Sequence, residues 1–347
     1  MSKLLITGGS GFFGSVLKTH LAGEGHPYVN FDLLEDPADA AAGRMHTGDL
    51  RRPGDIAACF ERHGPFDAVL HVAAQLAHES SSPQMLWESN VDGTRHLLEE
   101  GKRRGIGRFL FTSTNCLWGK PVGKPVTVDE PPTPVETYGK SKLEAEKIIQ
   151  SYRDDFATII FRSSTIIAPG RVGLLGILFE FIDENRKVPV VGRERKVYQF
   201  VHALDYAQAI HLSLSHPESA VFHVGSDEPL SLEESYEYVI EKSGSKSRVY
   251  HLPKGPTLLA MKLAYQLGLS PLGPYHYGMI AEEFEFDTSG TKEALGWRPT
   301  KSNGEILYEA YRFYHDNQAK LAAGDPALSA HRRSAKMGVI RLLKWLS

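Results

Sequence analysis

A glycine-rich turn between an apolar run and a helical pattern places the strongest constraint on the fold of this chain. The turn runs from Thr7 to Gly14 and reads Thr-Gly-Gly-Ser-Gly-Phe-Phe-Gly. The run Leu4–Ile6 before it is typical of a buried strand, and Val16 and Leu17 after it begin the apolar face of a helix. A strand, a turn of this type and a helix together predict a unit that binds a dinucleotide, with its phosphates at the helix N-terminus.

Each glycine of the turn has a predicted role toward the cofactor. Gly8 allows the tight turn, Gly11 lets the backbone approach a pyrophosphate, and Gly14 lets the helix pack closely on the strand. Phe12 and Phe13, which begin the helix, are included among the predicted cofactor contacts. An ordinary glycine-rich turn is the alternative interpretation.

A carboxylate stands at the distance that the dinucleotide interpretation requires. Asp32 ends the second apolar stretch, 18 residues beyond Gly14, where it can accept a hydrogen bond from the adenosine ribose. The following residues, 33–35, include no Arg or Lys that could bind a 2′-phosphate. The pattern therefore favours NAD over NADP, with a loop-capping acid as the alternative role of Asp32.

Tyr138 and Lys142 are four positions apart, which places them one turn apart on the same face of a helix. A tyrosine normally titrates near about 10. A lysine nearby favours the phenolate, so the tyrosine can act as a base near neutral pH. We predict that this pair is catalytic.

The whole chain has the composition of an ordinary globular enzyme. Its 347 residues are 41% hydrophobic and 23% charged, and the net charge of −3 gives no overall attraction to nucleic acid. Two cysteines are too few for a disulfide framework, and no run of about 20 apolar residues is present. With an N-terminus that leads directly into a strand, we expect a cytoplasmic protein without a signal peptide or a metal site.

Strand-like and helix-like segments alternate along the first half of the chain. This alternation predicts an α/β fold, a doubly wound Rossmann sheet of parallel strands with a smaller C-terminal substrate-binding lobe. The predicted strands are Lys3–Thr7, Tyr28–Phe31, Asp67–Val72, Arg108–Ser113 and Thr158–Arg162, and the predicted helices are Phe13–Ala22, Asp55–His63, Met85–Arg104 and Tyr138–Tyr152.

Three regions follow from this pattern. Residues 1–170 form the NAD-binding domain, with later strands contributed from about 197–225. Beyond Arg171 the pattern becomes irregular, so residues 171–320 are assigned mainly to the substrate-binding lobe. Residues 325–347 form a separate basic tail.

Ordered motifs over residues 1–318 resemble those of the extended short-chain dehydrogenase/reductase family, which includes nucleotide-sugar epimerases and dehydratases and 3β-hydroxysteroid dehydrogenases. Besides the glycine turn and the Tyr138/Lys142 pair, the matching stretches are Gly48–Leu50, His71–Ala74, Asn90–Thr94, Phe111–Gly119, Phe200–His202 with Asp205, Phe222–Gly225 and Leu295–Pro299. The resemblance implies NAD as cofactor, a homodimer, and cofactor contacts from Asp49, Leu50, Ala73 and Asn90 in addition to Tyr138 and Lys142.

The resemblance also implies a mechanism. Thr114 occupies the position of the catalytic hydroxyl and is preferred over Ser113, while Tyr138 acts as the base and Lys142 holds the nicotinamide ribose. Asn90 has a core hydrogen-bonding role as its alternative, and His71 is expected to be structural. Cys116 is expected to be inert because no local histidine partner is evident.

The chain departs from the nucleotide-sugar members at positions that bind phosphates. Thr165 replaces their usual Asn, and Tyr198-Gln199 replaces an Arg-Asp pair, with Arg193 nearby as a replacement cation. Gln75, His78, Asn115, Thr165 and Arg193 are the candidate substrate residues. The apolar stretch 258–265 indicates either an apolar entrance or core.

These observations leave three functions open. The first is an NAD-dependent sugar epimerase, including one for a lipid-linked sugar, and the second is a dehydrogenase of 3β-hydroxysteroid type or of another hydrophobic alcohol. The third is a non-catalytic NAD-sensing module, against which the complete set of Thr114, Tyr138 and Lys142 argues.

The C-terminal tail has the pattern of a helix that lies in a membrane interface. From His331 to Ser347 it contains five Lys or Arg and no acid. On a helical projection its leucines, with Val339 and Ile340, lie on the side opposite Arg341 and Lys344. Peripheral contact with the inner face of a membrane is one prediction, and packing against protein is the alternative.

Overall fold

A computed structural model describes residues 1–76, 82–171, 175–267 and 282–322. The predicted residue His78 and the basic tail lie outside these ranges. A seven-stranded sheet occupies the centre, and every pairing between its neighbouring strands is parallel. Numbered in chain order, the strands of this sheet are β1 Leu4–Thr7, β2 Tyr28–Asp32, β3 Met45–Thr47, β4 Ala68–His71, β5 Arg108–Thr114, β6 Ala157–Ser163 and β10 Ala220–Val224.

The strand order is β10-β6-β5-β4-β1-β2-β3, so the chain starts in the middle of the sheet and builds it outward in both directions. The order reverses between β1 and β4. In open parallel sheets, ligands bind at such a switch point, beyond the carboxyl ends of the strands. The fold is therefore a doubly wound α/β Rossmann type, as predicted.

Helices cover both faces of the sheet. Their bounds are α1 Phe12–Gly23, α2 Pro37–Ala41, α3 Pro53–His63, α4 Pro83–Trp87, α5 Gly93–Arg104, α6 Thr137–Gln150, α7 Leu175–Asp183, α8 Ala203–Ser213, α9 Leu232–Ser243, α10 Lys254–Gln266, α11 Ser289–Leu295 and α12 Asn303–Ala322. None of the helices in the described ranges combines the length and apolar character needed to cross a bilayer.

Alternation along β1 shows how the two faces form. Leu4 and Ile6 belong to the core shared with α1 and α8, whereas Leu5 belongs to the core shared with α3, α5 and α6. All three side chains are fully buried. Removing such a side chain from water contributes roughly 1.5–3 kcal/mol, so the apolar strand stabilises both layers at once.

A third apolar cluster lies outside the two that cover the sheet. Phe179, Phe286 and Ile306 belong to it, and α7, α9 and α12 supply much of its surface. Two short parallel pairs lie outside the main sheet: β7 (Thr165–Ile167) with β9 (Phe200–His202), and β8 (Val188–Val191) with β11 (Val249–Leu252). The irregular pattern beyond Arg171 thus contains regular helices and short strands.

The structure also changes one predicted helix. Instead of a single α-helix over Met85–Arg104, the chain forms α4, a π-helical turn over Glu88–Asp92, and α5. The first of these begins earlier because Ser82 caps it by accepting a hydrogen bond from the Met85 backbone. The π turn contains the buried Asn90, and such turns are frequent at functional sites.

Candidate functional site

The glycine turn forms a cradle at the carboxyl edge of the sheet. Gly8 has a φ of +76°, and a Cβ there would lie 2.6 Å from the Ala73 backbone. A Cβ on Gly14 would lie 2.0 Å from the Gly8 carbonyl oxygen. Helix α1 then begins at Phe12 after Gly11, with no side chain capping its first amides. These free N–H groups and the positive end of the helix dipole suit an anionic group such as a pyrophosphate.

Asp32 ties the turn to the end of β2. Its carboxylate accepts hydrogen bonds from the backbone amides of Ser10, at 2.9 Å, and Leu34, at 3.0 Å. Burial raises the pKa of Asp32, although these backbone bonds oppose the shift. Asn30 supports the same turn by donating to the Ser10 hydroxyl at 3.1 Å. The carboxylate lies where the sequence pattern predicts a ribose partner, and that role stays a prediction.

The remaining predicted cofactor residues lie around this edge in different environments. Asp49 forms an ion pair with Arg51, whose guanidinium donates at 2.6 Å and holds the pKa of Asp49 below its usual value. Leu50 is buried in the core. Phe13 stacks on the buried Tyr206 with ring centroids 4.4 Å apart, and Phe12 is partly exposed beside it.

A chain of buried hydrogen bonds joins β1, β4 and the π turn. The Thr7 hydroxyl lies 2.7 Å from His71 Nδ1, and His71 Nε2 lies 2.9 Å from the Thr94 hydroxyl. Thr94 donates to the Asn90 carbonyl at 2.7 Å, so it accepts from His71 Nε2–H. Burial lowers the pKa of His71 to about 3. His71 is therefore a neutral structural residue, as expected.

Asn90 extends this hydrogen-bond network to the loop at Gln75 and to helix α6. Its amide oxygen accepts from the Gln75 backbone N–H at 2.7 Å, and its Nδ2 donates to the Gln75 carbonyl at 3.0 Å. The same Nδ2 donates to Ser141 Oγ at 3.1 Å, and Ser141 lies on α6 between Tyr138 and Lys142. Asn90 thus fixes helix α6 relative to the loop after β4, which is the core role given above as its alternative.

Helix α6 brings the Tyr138/Lys142 pair against the end of β5. Its first turn packs closely on the segment after Thr114, because a Cβ on Gly139 would lie 2.2 Å from the Cys116 carbonyl oxygen. Lys142 is 2% exposed, and its Nζ lies 4.0 Å from the centroid of the Phe111 ring. It forms no hydrogen bond with any residue that the structure describes. Burial lowers its pKa to about 7, against the attraction of Glu146.

Thr114 presents a hydroxyl at this point. Its Oγ1 accepts from the Cys116 backbone N–H at 3.1 Å and makes a long contact of 3.4 Å to Asn115 Oδ1. Burial raises the pKa of Cys116 to about 12, so this thiol stays protonated near neutral pH. The arrangement offers a hydroxyl donor, a phenol and an ammonium at one edge.

The candidate substrate residues do not form one cluster. Asn115 Nδ2 donates to the Tyr198 hydroxyl at 3.1 Å, and the Thr165 hydroxyl lies 3.3 Å from the same oxygen. Gln75 contacts Asn90 through its backbone, as described above. Arg193 is exposed, and it lines a cavity of about 480 Å³ together with Lys196, His251 and Lys254.

Sequence reasoning missed Tyr198 and Ser141 as organising residues. Tyr198 was noted only as a departure from a pattern, yet its hydroxyl joins Asn115 to Thr165. Ser141 stands inside the Tyr138–Lys142 motif, and its hydroxyl donates to the Tyr138 carbonyl at 2.8 Å. A small polar residue three positions after Tyr138 is the available signal.

The residues present fit a dinucleotide. The glycine cradle excludes side chains at Gly8 and Gly14, and the α1 amides lack a side-chain cap. A carboxylate ends β2, and the Lys142 ammonium has no hydrogen-bond acceptor among the described residues, so a ribose hydroxyl could supply one. In the described part of the chain, no group of three or more His, Cys, Asp or Glu side chains is arranged to hold a metal ion.

Comparison with known proteins agrees with this geometry. The profile of the NAD dependent epimerase/dehydratase family matches residues 4–225. An uncharacterized protein of Sinorhizobium fredii, y4nG, is 35% identical over 98% of this chain and 85% of its own length. The UDP-glucose 4-epimerase of Corynebacterium glutamicum is 30% identical over 70% of this chain and 80% of its own length.

A solved structure shares the fold. The UDP-glucose 4-epimerase of Thermotoga maritima, crystallised with UDP-glucose, superposes with a TM-score of 0.74 at 21% identity. The match covers 91% of this chain and 99% of that one. Since the family profile spans more than half of the sequence, the chain belongs to the NAD-dependent epimerase/dehydratase family and is an NAD-dependent enzyme of the extended short-chain dehydrogenase/reductase type.

Proposed function

We propose that this enzyme epimerises a sugar by oxidising and re-reducing one carbinol carbon, with Tyr138 as the base. The observation that carries the proposal is the packing of α6 on the end of β5. Gly139 approaches the Cys116 carbonyl so closely that Tyr138 and Lys142 are held beside the Thr114 segment. A base, a hydroxyl donor and an ammonium at one edge are the groups that alcohol oxidation needs.

Each side chain has a distinct task in this proposal. Tyr138, as phenolate, takes the proton of the substrate hydroxyl, and the Lys142 ammonium favours that phenolate electrostatically. Thr114 donates a hydrogen bond to the same substrate oxygen as its charge changes. NAD, when bound, would supply the hydride acceptor for the oxidation and the hydride donor for the re-reduction of this carbon. The cradle formed by Gly8, Gly11 and Gly14 holds the pyrophosphate, and Asp32 accepts from the adenosine ribose.

We further propose a lipid-linked sugar as the substrate. The Gln199 amide donates a hydrogen bond to the Ser226 carbonyl and accepts one from the Phe286 N–H, both at 2.9 Å. The Tyr198 hydroxyl accepts a hydrogen bond from Asn115. Neutral groups engaged in this way bind phosphates poorly. Arg195 is paired with Glu234 at 2.7 Å. A nucleotide sugar, the substrate class in the names of several relatives, is the competing choice.

A dehydrogenase acting on a 3β-hydroxysteroid or another hydrophobic alcohol is the second candidate. The same neutral lining of Asn115, Tyr198 and Thr165 favours it, because such a substrate carries no phosphate. An epimerase turns over without net NADH, whereas a dehydrogenase releases NADH in proportion to product. Absorbance during turnover therefore separates the two.

Location and assembly complete the proposal. We place the enzyme in the cytoplasm as a homodimer, with residues 171–320 mainly binding the substrate. The basic tail, residues 325–347, contacts the inner face of the membrane, where a lipid-linked substrate resides. Its sequence supplies five cations, each worth about 1 kcal/mol near an anionic surface.

Two experiments test the chemistry and the substrate separately. Tyr138→Phe removes only a hydroxyl, so it should lower turnover by about 10²–10⁴-fold while NAD binding is retained. Near-normal turnover in that variant would refute the role of Tyr138 as the base.

For the substrate, calorimetry with uridine diphosphate should show weak binding. Micromolar binding of uridine diphosphate that disappears in the Arg193→Ala variant would instead favour a nucleotide sugar as the substrate.

A further inference from the structure

Helix α10 exposes Leu259 and Leu263 to solvent, and Leu267 directly after its last residue is exposed too, the reverse of the usual arrangement of a surface helix. Leu259, Leu263 and Leu267 are 60%, 50% and 71% exposed. Four residues apart, they follow one another on one face, and we call these three residues the leucine stripe. No residue of Lys254–Gln266 is buried.

The leucine stripe differs from the other exposed apolar residues in the described part of the chain. Those are isolated or paired, as at Leu204, Val135 and Leu33-Leu34. Single exposed apolar residues are normal on protein surfaces. A continuous apolar face on one helix marks an interaction surface instead.

The surrounding charge indicates what this surface meets. Between Lys242 and Ala281 the sequence contains five Lys or Arg and no acid, although the chain has 42 Asp and Glu in total. Within α10, Lys262 is exposed and forms no ion pair with any described residue. Lys254 pairs with Glu282 at 2.7 Å. A helix with exposed leucines and an exposed lysine that pairs with no described acid suits an anionic surface.

The start of α10 borders a basic cavity. The cavity of about 480 Å³ contains three cations, Arg193, Lys196 and Lys254, with Glu194 as the acid in its lining. Lys196 is paired with Glu194 and Glu282, at 3.3 and 3.2 Å. The start of α10 therefore adjoins a cavity whose Lys and Arg side chains outnumber the acids that pair with them.

We propose that the leucine stripe docks on a membrane surface that contains anionic phospholipids. The leucines enter the boundary between headgroups and acyl chains, and Lys262 remains at headgroup level. This choice of occupant rests on the proposed lipid-linked substrate, because a docked α10 would bring the substrate lobe to the membrane. Vesicle binding requires no turnover, so the two proposals can fail separately.

The test measures partitioning of the full-length protein onto vesicles of phosphatidylcholine mixed with phosphatidylglycerol. The triple variant Leu259→Gln, Leu263→Gln and Leu267→Gln keeps helix-forming residues at exposed positions, so it should remain folded. We expect it to lose about tenfold or more in partitioning. Leu204→Gln, at a helical position that is 50% exposed, is the matched control and should bind like the unmodified protein. Lys262→Gln should lose about fivefold on these vesicles and nothing on pure phosphatidylcholine.

Three results would overturn the proposal. The first is that the unmodified protein stays in the supernatant, and the second is that the triple variant partitions equally well. The third is that the triple variant changes from dimer to monomer in sedimentation velocity while neither form binds vesicles, in which case the leucine stripe contacts a second copy of the chain.

Discussion

Replacing Lys142 by Met should stabilise the nucleotide-free protein. The Lys142 ammonium is buried without a hydrogen bond to any described residue, and burial lowers its pKa from 10.5 to about 7. At about 1.4 kcal/mol per pKa unit, this difference corresponds to at most about 5 kcal/mol. Methionine has a similar length and no charge. Glu146 keeps a partner in the variant, because Arg162 donates to it at 2.8 Å.

The free energy of unfolding should depend on pH through the lowered pKa of Lys142. Below about pH 7 the folded and unfolded states both hold the ammonium, so the folded state carries the whole penalty. Between about 7 and 10.5 the unfolded chain binds more protons, and the free energy of unfolding rises with pH. The variant should therefore be more stable by about 2–5 kcal/mol at about pH 6, and this difference should disappear near about pH 10.5.

Urea unfolding of both proteins across this pH range provides the measurement. Other titrating groups are common to both, so the difference between the two curves isolates Lys142. Lys140→Met, an exposed position on the same helix, is the control and should show no such difference. A Lys142→Met protein that is less stable at about pH 6, or a difference that does not vary with pH, would refute the reasoning.

Two further predictions concern residues that organise the site. Asp32→Asn should weaken NAD binding by about 10–100-fold in calorimetry and narrow the preference for NAD over NADP, because a charged acceptor and a repulsive charge are both lost. An unchanged preference would show that Asp32 only holds Ser10 and Leu34. Asn90→Leu should lower the free energy of unfolding by about 2–4 kcal/mol in urea, since it leaves the Gln75 N–H without its acceptor; a loss below about 0.5 kcal/mol would contradict the role given to this amide.

Local sequence patterns predicted the central strands of the sheet better than its two edge strands, β3 and β10. The five strands expected from apolar runs are all present, because β1 to β6 are buried on both faces apart from β3. The short strand β3 has no buried residue, and two of its three residues are polar, so no apolar run marks it. Strand β10 lies within the region 197–225 that is expected to contribute later strands, but its place beside β6, some sixty residues earlier in the chain, leaves no local signal.

The site shows the same division. The roles expected for Thr114, Tyr138 and Lys142 rest on motif and spacing and stay predictions. The hydrogen bonds that hold this region together could not be predicted from the sequence, because the Asn90–Ser141 bond spans 51 residues and the Asn115–Tyr198 bond spans 83. For α10, the apolar stretch is evident in the sequence, but the sequence could not indicate which face of the helix is exposed to solvent.

NAD should reduce, or even reverse, the difference in free energy of unfolding between the unmodified protein and Lys142→Met. The ammonium has no hydrogen bond to any described residue, and the ribose hydroxyl would supply its acceptor, so the ligand should bind the unmodified protein more tightly than Lys142→Met. At a concentration 100 times its dissociation constant, a ligand stabilises the folded state by about 2.7 kcal/mol. That is comparable with the penalty of about 2–5 kcal/mol assigned to the bare ammonium. Urea unfolding with and without NAD near about pH 7 measures this directly. Equal stabilisation of both proteins would mean that Lys142 does not contact the cofactor, and its burial would then need a different explanation.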